Sequence, residues 1–266
     1  MVDGSVFGVL RRARRVWAIG SIHGDAARAQ TIHEEIADRL KPGDRVVYLG
    51  NMMGPGPLVR ETLDAIIDFR RAFLARPNTF IHDLVFLRGA QEEMWQRLMQ
   101  LQFAVGPPEV LQWMLDHGIG PTIEAYGGNV DQALSAARQG PVAITRWTGE
   151  LRDAFQATPG HQDWLSALRR AAYTDTGAVL LVSRGIAPDR PLDAQGDTFW
   201  WGARGFDEIK APYGEFAKVV RGFDPEHRGA VTTDYTISLD GGSGFGGVLL
   251  AGCIAADGSL VEIIEG

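Results

Sequence analysis

The chain has 266 residues, of which 45% are hydrophobic and 22% charged, and a formal net charge of −7. These values are typical of a globular α/β protein, and the negative charge argues against general nucleic-acid binding. No apolar run reaches the ~20 residues of a membrane helix, the N-terminus lacks the order of a secretory signal, and the single cysteine, Cys253, allows no internal disulfide. We therefore expect a cytoplasmic protein with neither nucleic acid nor membrane as a partner.

The N-terminal segment and the first third of the chain have different patterns. Arg11, Arg12, Arg14 and Arg15 follow a short apolar stretch at residues 6–10, and we interpret this basic cluster as a solvated arm. After it, strands are predicted at residues 16–20, 45–49 and 84–87, separated by amphipathic helices over residues 26–40 and 58–74. Such alternation predicts parallel strands whose carboxyl-end loops meet at one edge of the sheet.

The rest of the chain is predicted to be helical first and then to return to strands. Helices are expected within residues 91–172, with segments at 92–103, from 107, at 131–138, 149–157 and 161–171. Strands follow at residues 178–182, 217–220, 235–239, 248–254 and 260–264, joined by glycine-rich turns. We predict a single domain over residues 1–266 with a helical insertion at roughly 91–172.

Three predicted strands end in short glycine-anchored segments: Gly20-Ser21-Ile22-His23-Gly24, Gly50-Asn51-Met52-Met53-Gly54-Pro55, and Gly89-Ala90-Gln91-Glu92. Their order and spacing resemble the calcineurin-like metallophosphoesterases, and most of all the bacterial phosphoprotein phosphatase and diadenosine tetraphosphatase branch. In that branch the segments are Gly-Asp-Ile-His-Gly, Gly-Asp-x-x-Asp-Arg-Gly-Pro and Gly-Asn-His-Glu. Two later segments, Val182–Pro188 and Val219–Phe223, match its remaining histidine motifs in order. The resemblance implies an α/β sandwich of mixed β-sheets flanked by helices.

The resemblance also implies a site for two divalent cations of the Mn, Fe or Zn type, held by six positions. Two-metal phosphoesterases use such a pair to activate water and to clamp the phosphate oxygens. Here only His23 keeps the residue type of the family. Each of the other five positions carries a different residue: Ser21 and Asn51 in place of aspartates, Ala90 in place of asparagine, and Ser183 and Phe223 in place of histidines.

The proton-transfer and phosphate-binding positions implied by the resemblance are replaced as well. Gln91 stands where the family has the histidine that protonates the leaving group, and Gly54 where it has the aspartate that orients this histidine. Pro55 replaces a phosphate-binding arginine. The position of a second such arginine falls on Ala203, beside Arg204.

We therefore predict a catalytically inactive pseudophosphatase that needs no cofactor and acts as a binding or regulatory module with a protein partner. The alternative is a weak or altered phosphoprotein phosphatase or dinucleoside polyphosphate hydrolase. It would hold two divalent metals on displaced carboxylates: Asp25, Glu92, Asp224 and Asp240.

A third hypothesis is a sensor of phosphate or of a phosphorylated ligand, in which three arginines replace the lost cations: Arg184, Arg221 and Arg88. Each of these residues also has a purely structural interpretation. His23 would be a hydrogen-bonded structural histidine, and Ser21 and Ser183 would be small polar residues that fill space. Ser243 would be a turn residue, and Asp25 would cap a helix.

Overall fold

The computed structural model describes residues 6–202 and 205–266. The strands within these residues are β1 Phe7–Leu10, β2 Arg15–Ile19, β3 Asp44–Tyr48, β4 Leu84–Phe86, β5 Ala171–Thr174, β6 Val179–Val182, β7 Lys218–Arg221, β8 Gly229–Thr232, β9 Thr236–Asp240, β10 Leu250–Ala255 and β11 Leu260–Glu265. The helices are α1 Ala26–Arg39, α2 Val59–Leu74, α3 Ala90–Leu98, α4 Pro107–Asp116, α5 Gly120–Ala125, α6 Val130–Gln139, α7 Pro141–Ala157, α8 His161–Ser166 and α9 Thr198–Trp201. None of these helices is long and apolar enough to span a bilayer.

The strands form two mixed sheets. The five-stranded sheet has the order β11-β10-β2-β3-β4, and the six-stranded sheet has the order β1-β5-β6-β7-β9-β8. Strands β2, β3 and β4 are parallel, as the sequence predicts, whereas β10 is antiparallel to both β2 and β11. In the second sheet β6, β7 and β9 are parallel.

Alternation of side chains along β2 explains how the layers stack. Val16 and Ala18 pack in the apolar cluster shared with the six-stranded sheet, whereas Trp17 and Ile19 pack in a second cluster shared with the helices. The sheets approach closely at Gly20, where a Cβ would lie 2.2 Å from the carbonyl oxygen of Leu239. Only glycine is accommodated at this point, immediately after β2.

The helices α3 to α8 lie between β4 and β5 in the chain. Their buried residues belong to the same apolar cluster as the inner faces of α1 and α2, so they extend one helical layer over the five-stranded sheet. The domain boundaries predicted from the sequence stay a prediction.

The structure differs from the sequence-based prediction in several elements. Strands β1, β5 and β8, of four residues each, were not predicted. Strand β1 pairs in parallel with β5, more than 160 residues away in the chain. Helix α7 begins at Pro141 rather than at residue 149. Gly149 therefore does not mark the start of this helix but lies inside it, at a position where a side chain would face open space. Helix α8 ends at Ser166 rather than at residue 171.

The solvated-arm interpretation of the arginine cluster is wrong for one member. Arg11, Arg12 and Arg14 are exposed, but Arg15 lies in β2 and forms an ion pair with the buried carboxylate of Asp44, with Nε 3.0 Å from Oδ1. The four arginines therefore lie in the turn between β1 and β2 and at the first residue of β2.

Helix α1 provides a prediction through His33, which is buried against the five-stranded sheet. Its Nε2 lies 2.8 Å from the hydroxyl of Tyr48, its ring stacks on Phe69, and burial lowers the pKa of His33 to about 4. In the unfolded chain His33 binds a proton near pH 6.5, whereas in the folded chain it does so only near pH 4. The free energy of unfolding should therefore fall, by up to about 1.4 kcal/mol per pH unit, as the pH drops from 6.5 toward 4.

An NMR titration of the His33 ring should give a midpoint near pH 4. The variant His33→Gln keeps a hydrogen-bonding side chain but does not titrate. In urea unfolding, its free energy of unfolding should therefore change less steeply with pH than that of the parent, by the contribution of one proton. A midpoint near the ordinary histidine value, or equal pH dependences, would contradict the assignment.

Candidate functional site

The loops that follow β2, β3, β6 and β7 meet at one edge of the two sheets and are joined by main-chain hydrogen bonds. The amide of His23 donates to the carbonyl of Asn51 at 2.8 Å, and the amide of Gly56 donates back to the carbonyl of His23 at 2.7 Å. Across the other sheet, the amide of Phe223 donates to the carbonyl of Ser183 at 2.9 Å. The edge predicted from strand–helix alternation is therefore a single connected set of loops.

The buried carboxylate of Glu92, in the first turn of α3, organises the centre of this edge. Its Oε2 accepts the amides of Gly89 and Asn51 at 2.8 and 2.9 Å, and its Oε1 accepts those of Met52 and Met53 at 2.8 and 3.1 Å. Burial raises the pKa of Glu92, while these amides favour the charged form. One side chain thus fixes the start of α3 and the loop after β3 together.

Asn51, at the position of the bridging aspartate, forms a neutral pair with Ser21. Its Nδ2 donates to Ser21 Oγ at 3.2 Å, and its Oδ1 accepts the amide of Gln91 at 3.2 Å. The backbone of Asn51 is left-handed, with φ of 53°, and a Cβ on Gly89 would lie 2.3 Å from its nitrogen. Ser21 and Asn51, which the sequence resemblance aligns with two aspartates, therefore contact each other through one hydrogen bond.

His23 lies at the same edge but differs from the hydrogen-bonded histidine expected from the sequence. Its side chain is buried, and neither ring nitrogen has a hydrogen-bond partner among the described residues. The ring instead meets Phe223 and Phe245 edge-on, at centroid distances of 5.6 and 5.1 Å. Burial, with a smaller contribution from His227, lowers the pKa of His23 to about 3, so the imidazole is neutral at physiological pH.

The remaining replaced positions surround this centre. Ala90 opens α3 and Pro55 lies opposite it, both lining one cleft, whereas Ser183 is buried behind Gly50. Gln91 donates from Nε2 to the carbonyl of His117 at 2.8 Å and covers Gly54, where a Cβ would lie 2.5 Å from Gln91 Cγ. Gly54 has φ of 118°, a conformation that favours glycine.

These residues do not fit a pair of divalent cations. Divalent metals of this class need carboxylates, imidazoles or carbonyl oxygens that converge. Ala90 and Phe223 offer no donor atom, and Ser21 and Asn51 bind each other. Across residues 6–202 and 205–266, no three histidine, cysteine, aspartate or glutamate side chains come together as a metal site.

The displaced carboxylates of the alternative hypothesis all have other partners. Asp25 accepts the amide of Arg28 at 3.2 Å and caps α1, which confirms the predicted cap. Glu92 binds the four amides described above. Asp224 pairs with Arg221 and Arg228, and Asp240 accepts the amide of Asp224 at 2.7 Å and contacts His227 Nδ1 at 2.9 Å.

The three arginines proposed as an anion pocket lie in different surroundings. Arg221 is 3.0 Å from Asp224 and stacks over Phe206, with its guanidinium carbon 4.2 Å from the ring centroid. Arg88 pairs with Glu93 at 3.0 Å and does not line the cleft beside His23. Arg184 does line this cleft and lies over the ring of Phe223, 5.5 Å from its centroid. The sequence position at Ala203 and Arg204 falls outside the described residues.

The cleft has a volume of about 590 Å³ and a largely aromatic wall that the motif comparison missed. It is lined by His23, Asn51, Pro55, Ala90, Gln91, Met94, Trp113, Leu115, Asp116, His117, Gly118, Arg184, Trp201, Phe223 and Phe245. Trp113 stacks on His117 at 4.2 Å and meets Trp201 edge-on at 5.4 Å. The sequence carried no local signal for this wall, because its aromatic residues come from separate segments of the chain.

Comparison with known proteins identifies the fold. The chain matches no family model and no curated protein sequence. Among solved structures, a candidate diadenosine tetraphosphatase aligns over 98% of both chains at 16% sequence identity, with a TM-score of 0.54. The cold-active protein tyrosine phosphatase of a psychrophilic Shewanella species aligns over 97% of this chain and 83% of its own, at 14% identity and a TM-score of 0.55. The chain has the calcineurin-like metallophosphoesterase fold, as the motifs predict.

The role of Glu92 gives a stability prediction. In Glu92→Gln, an amide NH₂ replaces one of the two acceptor oxygens and opposes two buried main-chain amides. Because each buried unsatisfied donor costs about 1–3 kcal/mol, we expect urea unfolding to show a loss of roughly 3 kcal/mol. Glu109→Gln, which removes an exposed acid from the first turn of α4, should change stability by less than about 0.5 kcal/mol. Equal small losses in the two variants would show that Glu92 does not organise the loops.

Proposed function

We propose that this protein is a pseudophosphatase: a metallophosphoesterase fold whose catalytic edge has become a binding site, and which acts as a regulatory module without hydrolysing phosphate esters. The observation that carries the proposal is the neutral Ser21–Asn51 pair at the positions of two carboxylates, beside Ala90 and Phe223 at the positions of two further ligands. The loops converge, but their side chains do not form a cation site.

The chemistry of the family requires groups that are missing from these positions. Two-metal hydrolysis needs a bridging carboxylate to hold the cations and a metal-bound water as nucleophile. The Asn51 amide is neutral and already shared between Ser21 and the amide of Gln91. Gln91, at the general-acid position, does not exchange protons near neutral pH. These replacements favour a cleft that binds without transforming its ligand.

The electrostatics of the edge support the same proposal. A cluster of carboxylates without cations would be destabilised by mutual repulsion, so loss of metal requires loss of charge. Here the loop after β2 presents a hydroxyl, the loop after β3 an amide, and the nearby histidine is neutral. Of the acids near the cleft, Asp207 and Asp224 are paired with Arg221 and Arg228. Asp116, which lines the cleft, accepts a hydrogen bond from Gln112 Nε2 at 2.9 Å. Such an edge stays folded without bound ions.

We expect the purified protein to contain no stoichiometric divalent metal by elemental analysis. Titration with Mn²⁺ should raise the melting temperature by less than 1 °C, and a generic phosphate monoester should show no turnover above background. Turnover that appears with Mn²⁺ and is abolished by Asn51→Ala would contradict the proposal and revive a hydrolase that acts on a phosphoprotein or a dinucleoside polyphosphate.

A revertant tests whether this fold can still bind metal ions once the family's residues are restored. It combines eight changes: Ser21→Asp, Asn51→Asp, Gly54→Asp, Pro55→Arg, Ala90→Asn, Gln91→His, Ser183→His and Phe223→His. Metal binding by the folded revertant, together with none by the parent, supports the proposal. If the revertant does not fold, the assays on the parent chain still decide the question. The protein partner predicted from the sequence stays a prediction.

A further inference from the structure

The cleft beside His23 contains buried polar groups that the fold leaves without partners. Within the described chain, both ring nitrogens of His23 and the Oε1 of Gln91 have no hydrogen-bond partner, and both side chains are at least 95% buried. Leaving such groups unpaired costs free energy, and the two residues line the same cleft. These three atoms have almost no accessible surface, so both side chains face the cleft through their other atoms.

Arg184 provides an uncompensated positive charge at the same cleft. Its main-chain amide donates to the carbonyl of Phe199 at 2.8 Å, and its side chain runs past Gly202, where a Cβ would lie 2.8 Å from Nε. Among the described residues it forms no ion pair, unlike Arg221 and Arg228, which share Asp224. Burial and the nearby Arg221 lower the pKa of Arg184, whereas the charge of Asp224 partly offsets them.

The walls of the cleft are flat and aromatic. Trp113 and Trp201 form one side, and Phe223 and Phe245 lie beside His23 on the other. Planar rings pack on such surfaces in stacked or edge-on arrangements. His23 and Arg184 contact the same Phe223 ring, at 5.6 and 5.5 Å from its centroid, so one small ligand reaches both.

We propose that this cleft binds a planar aromatic monocarboxylate. The ring lies between the aromatic walls, and the carboxylate pairs with Arg184. A single guanidinium matches a carboxylate in a bidentate pair, and the second positive charge that would balance a phosphate dianion is not supplied by Arg221 or Arg228, which already pair with acids. This inference rests on the proposed function, because two metal ions would occupy the floor of the same cleft.

The probe for the test is indole-3-acetate, a planar carboxylate with one ring N–H. Titrated in a calorimeter in the presence of EDTA, it should bind at micromolar to sub-millimolar concentration to the cleft that Trp113 and Trp201 line. Indole-3-acetamide, which lacks the charge, and cyclohexylacetate, which lacks the planar ring, should each bind at least ten-fold more weakly. Inorganic phosphate should give no response at millimolar concentration.

Two variants and a matched control assign the binding to this cleft. Arg184→Gln should weaken indole-3-acetate binding at least ten-fold, while Arg138→Gln, an exposed arginine on α6, should leave it unchanged. Trp113→Ala is the second variant, because Trp113 is 42% exposed at the wall of the cleft, and it should weaken binding. If Arg184→Gln does not fold, Trp113→Ala decides.

The inference is overturned if folded protein ignores millimolar indole-3-acetate, if Arg184→Gln and Trp113→Ala bind it as well as the parent, or if phosphate binds more tightly. Its failure is distinct from failure of the proposed function. Manganese-dependent turnover refutes the pseudophosphatase, whereas absence of both turnover and carboxylate binding refutes only the ligand class.

Discussion

The edge formed by the strand-end loops depends on a single buried carboxylate that holds four main-chain amides. Glu92 joins the loop after β3 to the start of α3 through Gly89, Asn51, Met52 and Met53. Because these amides lie at the end of a helix and in a tight loop, they have few alternative acceptors. The position of every other residue at the edge follows from this arrangement.

The charges beside the cleft are sorted into two groups. Arg221 and Arg228 form ion pairs with Asp207 and Asp224, which gives a self-contained charged network next to β7. Arg184 lies between this network and the aromatic cleft and does not join the pairs. Among the residues that the structure describes, the edge therefore combines the neutral Ser21–Asn51 pair, an aromatic wall and a guanidinium that forms no ion pair.

The sequence predicted the part of the fold that depends on local pattern. Strands β2, β3 and β4 are apolar runs followed by glycine, and the parallel pairing follows from the helices between them. It also placed Ser21, Asn51 and Ala90 at one edge, since these residues directly follow those strands. Strands β1, β5 and β8 were missed because four-residue strands carry little local signal. In addition, β1 pairs with the distant β5, and β8 is a mostly exposed edge strand without an apolar run.

The cleft itself was beyond prediction from the chain. Its aromatic wall joins Trp113 of α4, Trp201 of α9 and Phe245 of the turn before β10, which have no shared motif. The unpaired nitrogens of His23 depend on how Phe223 and Phe245 enclose the ring, a matter of packing rather than of residue type. Likewise, the sequence could place Arg88, Arg184 and Arg221 near the edge but could not show which of them pairs with an acid.

The contact between Gln91 and Gly54 has a consequence for evolution. The Gln91 side chain fills the space that any β-carbon at residue 54 would need, and the backbone there has a conformation that only glycine adopts easily. A single mutation that placed an acid at residue 54 would clash with the Gln91 side chain. The two positions are thus epistatic, because a larger residue at position 54 is accommodated only together with a change at position 91.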